Sequence, residues 1–281
     1  MQCIVLAVTA MAVLLVGCGG MGGGSSSGGL LQANGQGFAG FLLVDARTGK
    51  VESRDELPDL ASNPAYRSDT IVFRRVAGGS PVLGTSTGES YRELEDELRY
   101  GACSNAEFFL AVFELTSAQQ LRLGQVTDAT QLATGTDLPL QDSSAAQIEI
   151  LLAEVRSRTG LKLRLPSANE WEHACRAGSG ALFSWGDTTT DTTANRHAVT
   201  TLTGASGPAR VGQRQANALG FFDMHGNVWE MTADESPDAS RRIICGGSWR
   251  DPLLQARSAN RVELPTLVPH PLVGVRLALN R

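Results

Sequence analysis

An α+β fold is predicted by three features of this sequence. Three S/T-x-x-Q/E capping boxes, at Thr116–Gln119, Ser144–Gln147 and Ser167–Glu170, each announce a helix start. After Gly178 helical periodicity is lost, and short apolar runs (FSWGD, ALGFFDMHGNVWEM, RRIICGGSW, VGVRLAL) alternate with Gly, Asn, Asp and Thr clusters. The 31 glycines among 281 residues include GG and GS pairs that punctuate the body, which favours a loop-rich fold over a helical bundle. A few helices followed by irregular loops and short strands is an α+β plan.

The first segment lies outside that plan. Residues 4–16 form the apolar run IVLAVTAMAVLLV, too short to span a bilayer and of the length of a signal-peptide core. It ends in Leu15-Val16-Gly17-Cys18, small residues before a cysteine that resemble the lipobox of bacterial lipoproteins. The resemblance implies lipidation of Cys18, a membrane anchor, and export to the cell envelope; Gly19 rather than Asp after the cysteine leans towards the outer membrane. The opening MQC carries no Lys or Arg, a departure from the usual positive start. The tract GGMGGGSSSGG that follows has the composition of a flexible tether, with a reach of roughly 25 Å from Cys18 to Gln36. The reading is therefore a signal peptide over 1–18, a tether over 19–36, an N-terminal extension over 37–69 and one domain over 70–281. The net charge of −5 without a basic stretch argues against a nucleic-acid partner.

Within the body, the pattern predicts a strand at 38–44, a turn over 45–49 and a returning strand from Val51. IVFRRVAGGSPVLG, residues 71–84, reads as two strands about a Gly-Gly-Ser turn, 85–100 as a polar surface loop, and Phe108 to Val112 as a further strand. Helices open at the three capping boxes. In the second, Ile148, Leu151, Leu152 and Val155 make one apolar stripe and Gly160 stops the helix. The third bears Trp171.

Five blocks, in order, are similar to those of the formylglycine-generating-enzyme and sulfatase-modifying-factor family. They are FFLAVFELTSAQ (108–119), LRLPSANEWEHACRAG (163–178), LFSWGD (182–187), GFFDMHGNVWEM (220–231), and GGSW, RSANR and VGVR within 245–276. The resemblance implies a C-type-lectin-like fold. All four tryptophans, Trp171, Trp185, Trp229 and Trp249, sit in these blocks and read as buried structural rings.

The family's enzymes oxidise a cysteine of a client sulfatase to formylglycine with copper(I) held by two cysteines, and soft thiolates suit that ion. Those cysteines lie between the G-G-S-aromatic and A-R-S blocks. Here that interval reads RDPLLQ, residues 250–255, and holds no cysteine, so no copper and no formylglycine-generating activity are expected. The resemblance also implies a structural calcium held by Asp223, Gly226, Val228 and Glu230; carboxylates and carbonyls on a tight turn suit a hard cation. The alternative is that Asp223 and Glu230 pair with arginines. A second family calcium site begins near Asn195-Arg196, but no acidic residues stand where its other ligands would be. Cys103, Cys175 and Cys245 leave three pairings, or free thiols, open. His173, His197, His225 and His270 show no zinc spacing and read as loop or helix-surface residues.

The expected function is that of a lipid-tethered binding or structural module for a protein or glycan, with Arg250, Asp251, Leu253, Gln255, Glu263, Thr266 and His270 as its exposed candidate loop. The alternatives are an enzyme of other chemistry in the same cleft, an accessory subunit of an envelope assembly, and a retroelement-diversified lectin-fold binder.

Overall fold

The computed structural model describes residues 40–85, 105–125, 128 and 136–280, all within the unit Phe38–Arg281. The lipobox with Cys18, the tether, most of the polar loop over 85–100 and Cys103 lie outside the described residues. No helix among the described residues is long and apolar enough to cross a membrane.

Alternating apolar residues in FLLVD form β1 (Phe41–Asp45), and Val51–Arg54 returns antiparallel as β2. The turn between them is made by the Asp45 carboxylate, which accepts from the N–H groups of Arg47 at 3.0 Å and Thr48 at 2.7 Å. β3 (Thr70–Val76) pairs with β1 on one edge and with β4 (Phe108–Ala111) on the other. The hairpin expected between 71–76 and 81–84 therefore does not form. Both edges of β3 are taken, and Gly79 bridges Asn105 instead. The predicted N-terminal extension is part of the domain's own sheet, since it supplies the two strands β1 and β2.

β5 (Leu163–Arg164) and β10 (Ala278–Leu279) complete a six-stranded sheet in the order β2-β1-β3-β4-β10-β5. β6 (Trp229–Glu235), β7 (Arg241–Cys245), β8 (Arg261–Pro265) and β9 (Val273–Val275) form a second sheet, β8-β7-β6-β9, in which β6 and β9 run parallel.

The capping boxes open helices as predicted. α1 (Ser117–Leu123), α2 (Ala145–Thr159) and α3 (Ala168–Arg176) each show both reciprocal hydrogen bonds of the motif. The stripe Ile148, Leu151, Leu152 and Val155 is buried, and Gly160, at φ 71°, ends α2 in the left-handed conformation that favours glycine. A fourth helix, α4 (Asp191–His197), lies where helical periodicity was absent. It buries only Ala194, so it carries no stripe for the sequence to reveal.

Strand residues alternate between cores. Leu42, Val44, Phe73, Phe109 and Ala111 join α2, Trp229, Met231 and Val275 in the largest cluster. Phe108 and Leu110 turn the other way, against Trp171, Ala174 and Cys175 of α3 and Ile243 and Cys245 of β7. Each fully buried large apolar side chain stabilises the fold by about 1.5–3 kcal/mol. The mixed helix-and-strand plan is thus the α+β class predicted.

Candidate functional site

The 220–231 block folds into a loop whose backbone only particular residues tolerate. Asp223 and Asn227 both adopt positive φ, at 57° and 64°, and Gly226 lies at 86°. A Cβ on Gly226 would stand 2.1 Å from the Val199 carbonyl oxygen. The loop sets three carboxylates, Glu114, Asp223 and Glu230, in a wholly buried cluster around Arg276.

Arg276 uses all five of its N–H donors there. Nε and Nη2 grip Glu230 at 2.8 and 2.6 Å, Nη1 donates to the carbonyls of Ala111 and Val112, and Nη2 also donates to that of Phe222. Trp171 Nε1 donates to the same Glu230 carboxylate at 2.6 Å. Glu114 accepts from Asn227 Nδ2 at 2.6 Å and from Val228 N–H. Asp223 accepts from Gly212 N–H through Oδ2, while its Oδ1 is buried without a partner.

Of the four residues predicted to hold calcium, Glu230 is taken up by the arginine cluster. Both oxygens of Glu230 are committed to Arg276 and Trp171, which is the arginine pairing weighed as the alternative. Gly226 and Val228 would offer carbonyls, and of the two carboxylates only that of Asp223 keeps an oxygen without a partner. Among the described residues no three His, Cys, Asp or Glu side chains form a group able to hold a metal ion.

Three carboxylates share one fully buried arginine, and burial raises the proton affinity of two of them. Burial, with Asp223 and Glu230 nearby, pushes Glu114 well above the usual carboxylate range. Burial likewise pushes Asp223 up to about 6, against the downward pull of the Gly212 N–H and Arg276. The folded protein thus holds this proton more tightly than the unfolded chain, where aspartate titrates near 3.8. Its contribution to stability is present at low pH and is lost as pH rises through the folded value. Asp223→Asn keeps an acceptor for Gly212 and removes the titration. It is expected to gain about 3 kcal/mol over wild type at pH 7.5 and roughly half of that at pH 5, read by urea unfolding at the two pH values.

A cleft of about 520 Å³ opens nearby. Leu182, Asp187 and Thr189 line one side, Thr201 and Leu202 another, and Pro252, Leu253 and Leu254 a third. The third wall is the segment in which the resemblance places the copper cysteines. It is anchored by Asp251, whose carboxylate turns inward to accept from Trp229 Nε1 at 2.8 Å and from the N–H and hydroxyl of Ser248. A 3-10 turn, Leu253–Ala256, follows.

The candidate binding loop divides. Leu253 lines the cleft but is otherwise buried with Phe183, Ala194 and Ala198, so it is not the exposed residue expected. Arg250 is exposed, Asp251 is structural, and Gln255 accepts from Asn260. Glu263 lies in edge strand β8, and the carbonyls of Thr266 and His270 accept from Ala145 and Asp142. These last three residues belong to β8 and the β8–β9 connection, not to the cleft lining.

Behind the cleft lies a feature that the sequence did not reveal. His225, expected on a surface, is 3% exposed. Its Nδ1 meets the Ala256 carbonyl at 2.7 Å and its Nε2 meets Ser184 Oγ at 3.0 Å. Phe183 and Trp185 stack at 4.6 Å, His197 stacks on Trp185 at 5.0 Å, and both aromatic rings meet His225 edge-on. Of the other tryptophans, Trp171 and Trp229 are buried and Trp249 is half-buried. Cys175 and Cys245 are buried free thiols, so the described residues contain no bridge between them. Burial pushes Cys175 up to about 12 and Cys245 higher still, which keeps both as unreactive thiols.

The two-sheet α+β frame, the Gly226 loop and the Arg276 cluster define a domain of the formylglycine-generating-enzyme type. The profile of the sulfatase-modifying factor enzyme 1-like domain matches residues 75–281, and the chain belongs to that family. The chain is 38% identical over 81 residues to a formylglycine-generating enzyme of Mycobacterium tuberculosis, covering 26% of this chain and 27% of that protein. It is 34% identical over 100 residues to the inactive C-alpha-formylglycine-generating enzyme 2 of Bos taurus, covering 31% and 33%. The matches thus span about a third or less of these relatives' length. Among solved structures, Treponema denticola variable protein 1 shares the fold with a TM-score of 0.64 at 17% identity, over 75% of this chain and 96% of that one. PvdO from Pseudomonas aeruginosa does so with a TM-score of 0.62 at 22% identity, over 75% and 95%.

Proposed function

We propose that this chain is a lipid-anchored envelope protein whose sulfatase-modifying-factor domain works as a binding module, without the copper oxidase chemistry that the resemblance implies. One observation carries the reading. The wall of the cleft formed by residues 250–255 has Pro252, Leu253 and Leu254 where a thiolate pair would be needed. The description of the Bos taurus relative as inactive is compatible with this.

The cleft suits a ligand with an apolar part and a few hydroxyls, because four leucines are interleaved with Thr189, Thr201 and Asp187. A peptide side chain or a glycan face meets that description. Anchoring through Cys18 and the tether holds the module at a membrane, towards the outer membrane of a two-membrane cell.

The test is a screen of glycan and cell-envelope peptide arrays with the full chain and with Leu254→Arg, which places a charged chain in the cleft. A ligand bound by wild type and weakened at least tenfold by the variant is the expected result. Equal binding by both, or no ligand in either class, would overturn the reading.

A further inference from the structure

Ser184 and His225 are 41 residues apart, yet the fold brings a hydroxyl and an imidazole together with the polarity of a nucleophile and its base. The tautomer follows from the surroundings. A carbonyl can only accept, so the His225 nitrogen facing the Ala256 carbonyl carries the proton, and Nε2 is left as an acceptor. The Ser184 hydroxyl therefore donates to Nε2, 3.0 Å away. Nε2 also accepts from the Ser184 N–H at 3.2 Å, and the Cys175 sulfur lies 3.7 Å from it. Phe183 and Trp185 hold the imidazole edge-on from two sides, fixing its plane.

Ser184 stands on a segment that walls the cleft, and His225, on the 223–228 loop, backs its hydroxyl. Ser184 lies between Leu182 and Asp187, and the Leu182 N–H donates to Asp187 Oδ1 at 2.8 Å to close that loop. His225 hangs from Ala256, the last residue of the 3-10 turn whose Leu253 and Leu254 also line the cleft. Ser184 is half-buried, whereas Cys175 is wholly buried, so of the two groups beside Nε2 the hydroxyl is the more accessible.

We propose that Ser184 and His225 form a nucleophile–base dyad that hydrolyses esters of aliphatic acids, with the acyl chain lying among Leu182, Leu202, Leu253 and Leu254. The proposal rests on the same cleft as the binding reading and adds a reaction to it. Ser184 Oγ attacks the ester carbonyl carbon and passes its proton to His225 Nε2. The bond from that carbon to the alcohol oxygen breaks, and the alcohol leaves with the proton. Water then attacks the acyl-serine, its proton passing through Nε2 back to Ser184 Oγ as the carboxylic acid is released. The Ala256 carbonyl takes the orienting role that a carboxylate has in a triad.

A pH signature separates this pair from an ordinary exposed histidine. Burial pushes His225 down to about 4, helped by His197 and Arg176 and opposed by the Ala256 carbonyl. The titratable and charged groups facing it are Cys175 and Arg176 of α3 and His197 of α4. The base is therefore already neutral at pH 5.5.

The test uses the full chain and an alkyl fluorophosphonate, with peptide mass spectrometry to locate the adduct. One phosphonyl group on Ser184 is expected, absent from Ser184→Ala and slowed at least 100-fold in His225→Gln. The rate at pH 5.5 is expected to lie within twofold of that at pH 7.5. If His225→Gln fails to fold, the pH profile carries the test on wild-type protein. Absence of an adduct on wild type, an adduct on another residue, or a rate that climbs tenfold per pH unit across this range would each overturn the proposal. Labelling requires no natural ligand, so its failure leaves the array result for the binding reading standing.

Discussion

Arg276→Met is expected to destabilise the domain by about 3–5 kcal/mol, the scale for removing one partner of a buried ion pair. For a domain of this size that is a fall in Tm of roughly 6–20 °C. The reason is specific to the cluster. Arg276 is the fully buried cation facing Glu114, Asp223 and Glu230, and it also satisfies the carbonyls of Ala111, Val112 and Phe222. Methionine fills much of the volume but takes two donations from the Glu230 carboxylate, which keeps only Trp171 Nε1, and one from each of three carbonyls. The double variant Glu230→Leu/Arg276→Met is expected to recover only part of the loss, because Trp171 Nε1 stays unpaired and the carbonyls of Ala111, Val112 and Phe222 still lack the Arg276 N–H groups, although that of Val112 keeps the Phe222 N–H. Urea unfolding of the two variants checks this. A loss below 1 kcal/mol for Arg276→Met would mean that the cluster does not hold the loop.

Gly226→Ala is expected to cost about 3 kcal/mol or more, and Gly178→Ala provides the control. The two glycines have nearly the same φ, 86° and 90°, so the conformational cost of a side chain is shared, at about 1–2 kcal/mol. They differ in space. A Cβ on Gly178 meets nothing within 4 Å, while one on Gly226 stands 2.1 Å from the Val199 oxygen and 2.9 Å from Thr200 Cγ2. The 223–228 loop must then move from Val199, to which it is tied by the Asn227 N–H and by the donation of the Val199 N–H to the His225 carbonyl. The measurement is the difference in Tm between the two variants. Equal shifts would show that the close approach carries no weight.

How much of this was legible in the sequence depends on the range of the interaction. Capping boxes couple residues three apart, so Thr116, Ser144 and Ser167 announced their helices and both hydrogen bonds of each box form. The stripe on α2 was legible for the same reason. α4 was not, because DTTANRH buries a single alanine and offers no periodicity. The failure at 71–84 is one of pairing, since a Gly-Gly-Ser turn signals a local hairpin but β3 found two distant partners in β1 and β4. The 37–69 segment joined the main sheet by the same kind of non-local pairing.

The site follows the same rule. The blocks that carry the family resemblance identified the Gly226 loop and Glu230, but not that Arg276, 46 residues onward, would be the arginine that grips the carboxylate. A lone histidine between Met224 and Gly226 gave no sign of burial. Its partners, Ser184 and Ala256, come from separate loops and meet only in the folded chain. The missing cysteines between Trp249 and Arg257 were visible directly, because that reading needed only composition within an aligned interval.

The claim that this family member lacks copper oxidase chemistry is tested most directly by turnover. The purified full chain is loaded with copper(I), given a sulfatase-type cysteine peptide under oxygen, and the peptide is weighed by mass spectrometry. An unmodified peptide and no stoichiometric copper on the protein are expected. Conversion of the cysteine to formylglycine with one copper bound per chain would contradict it.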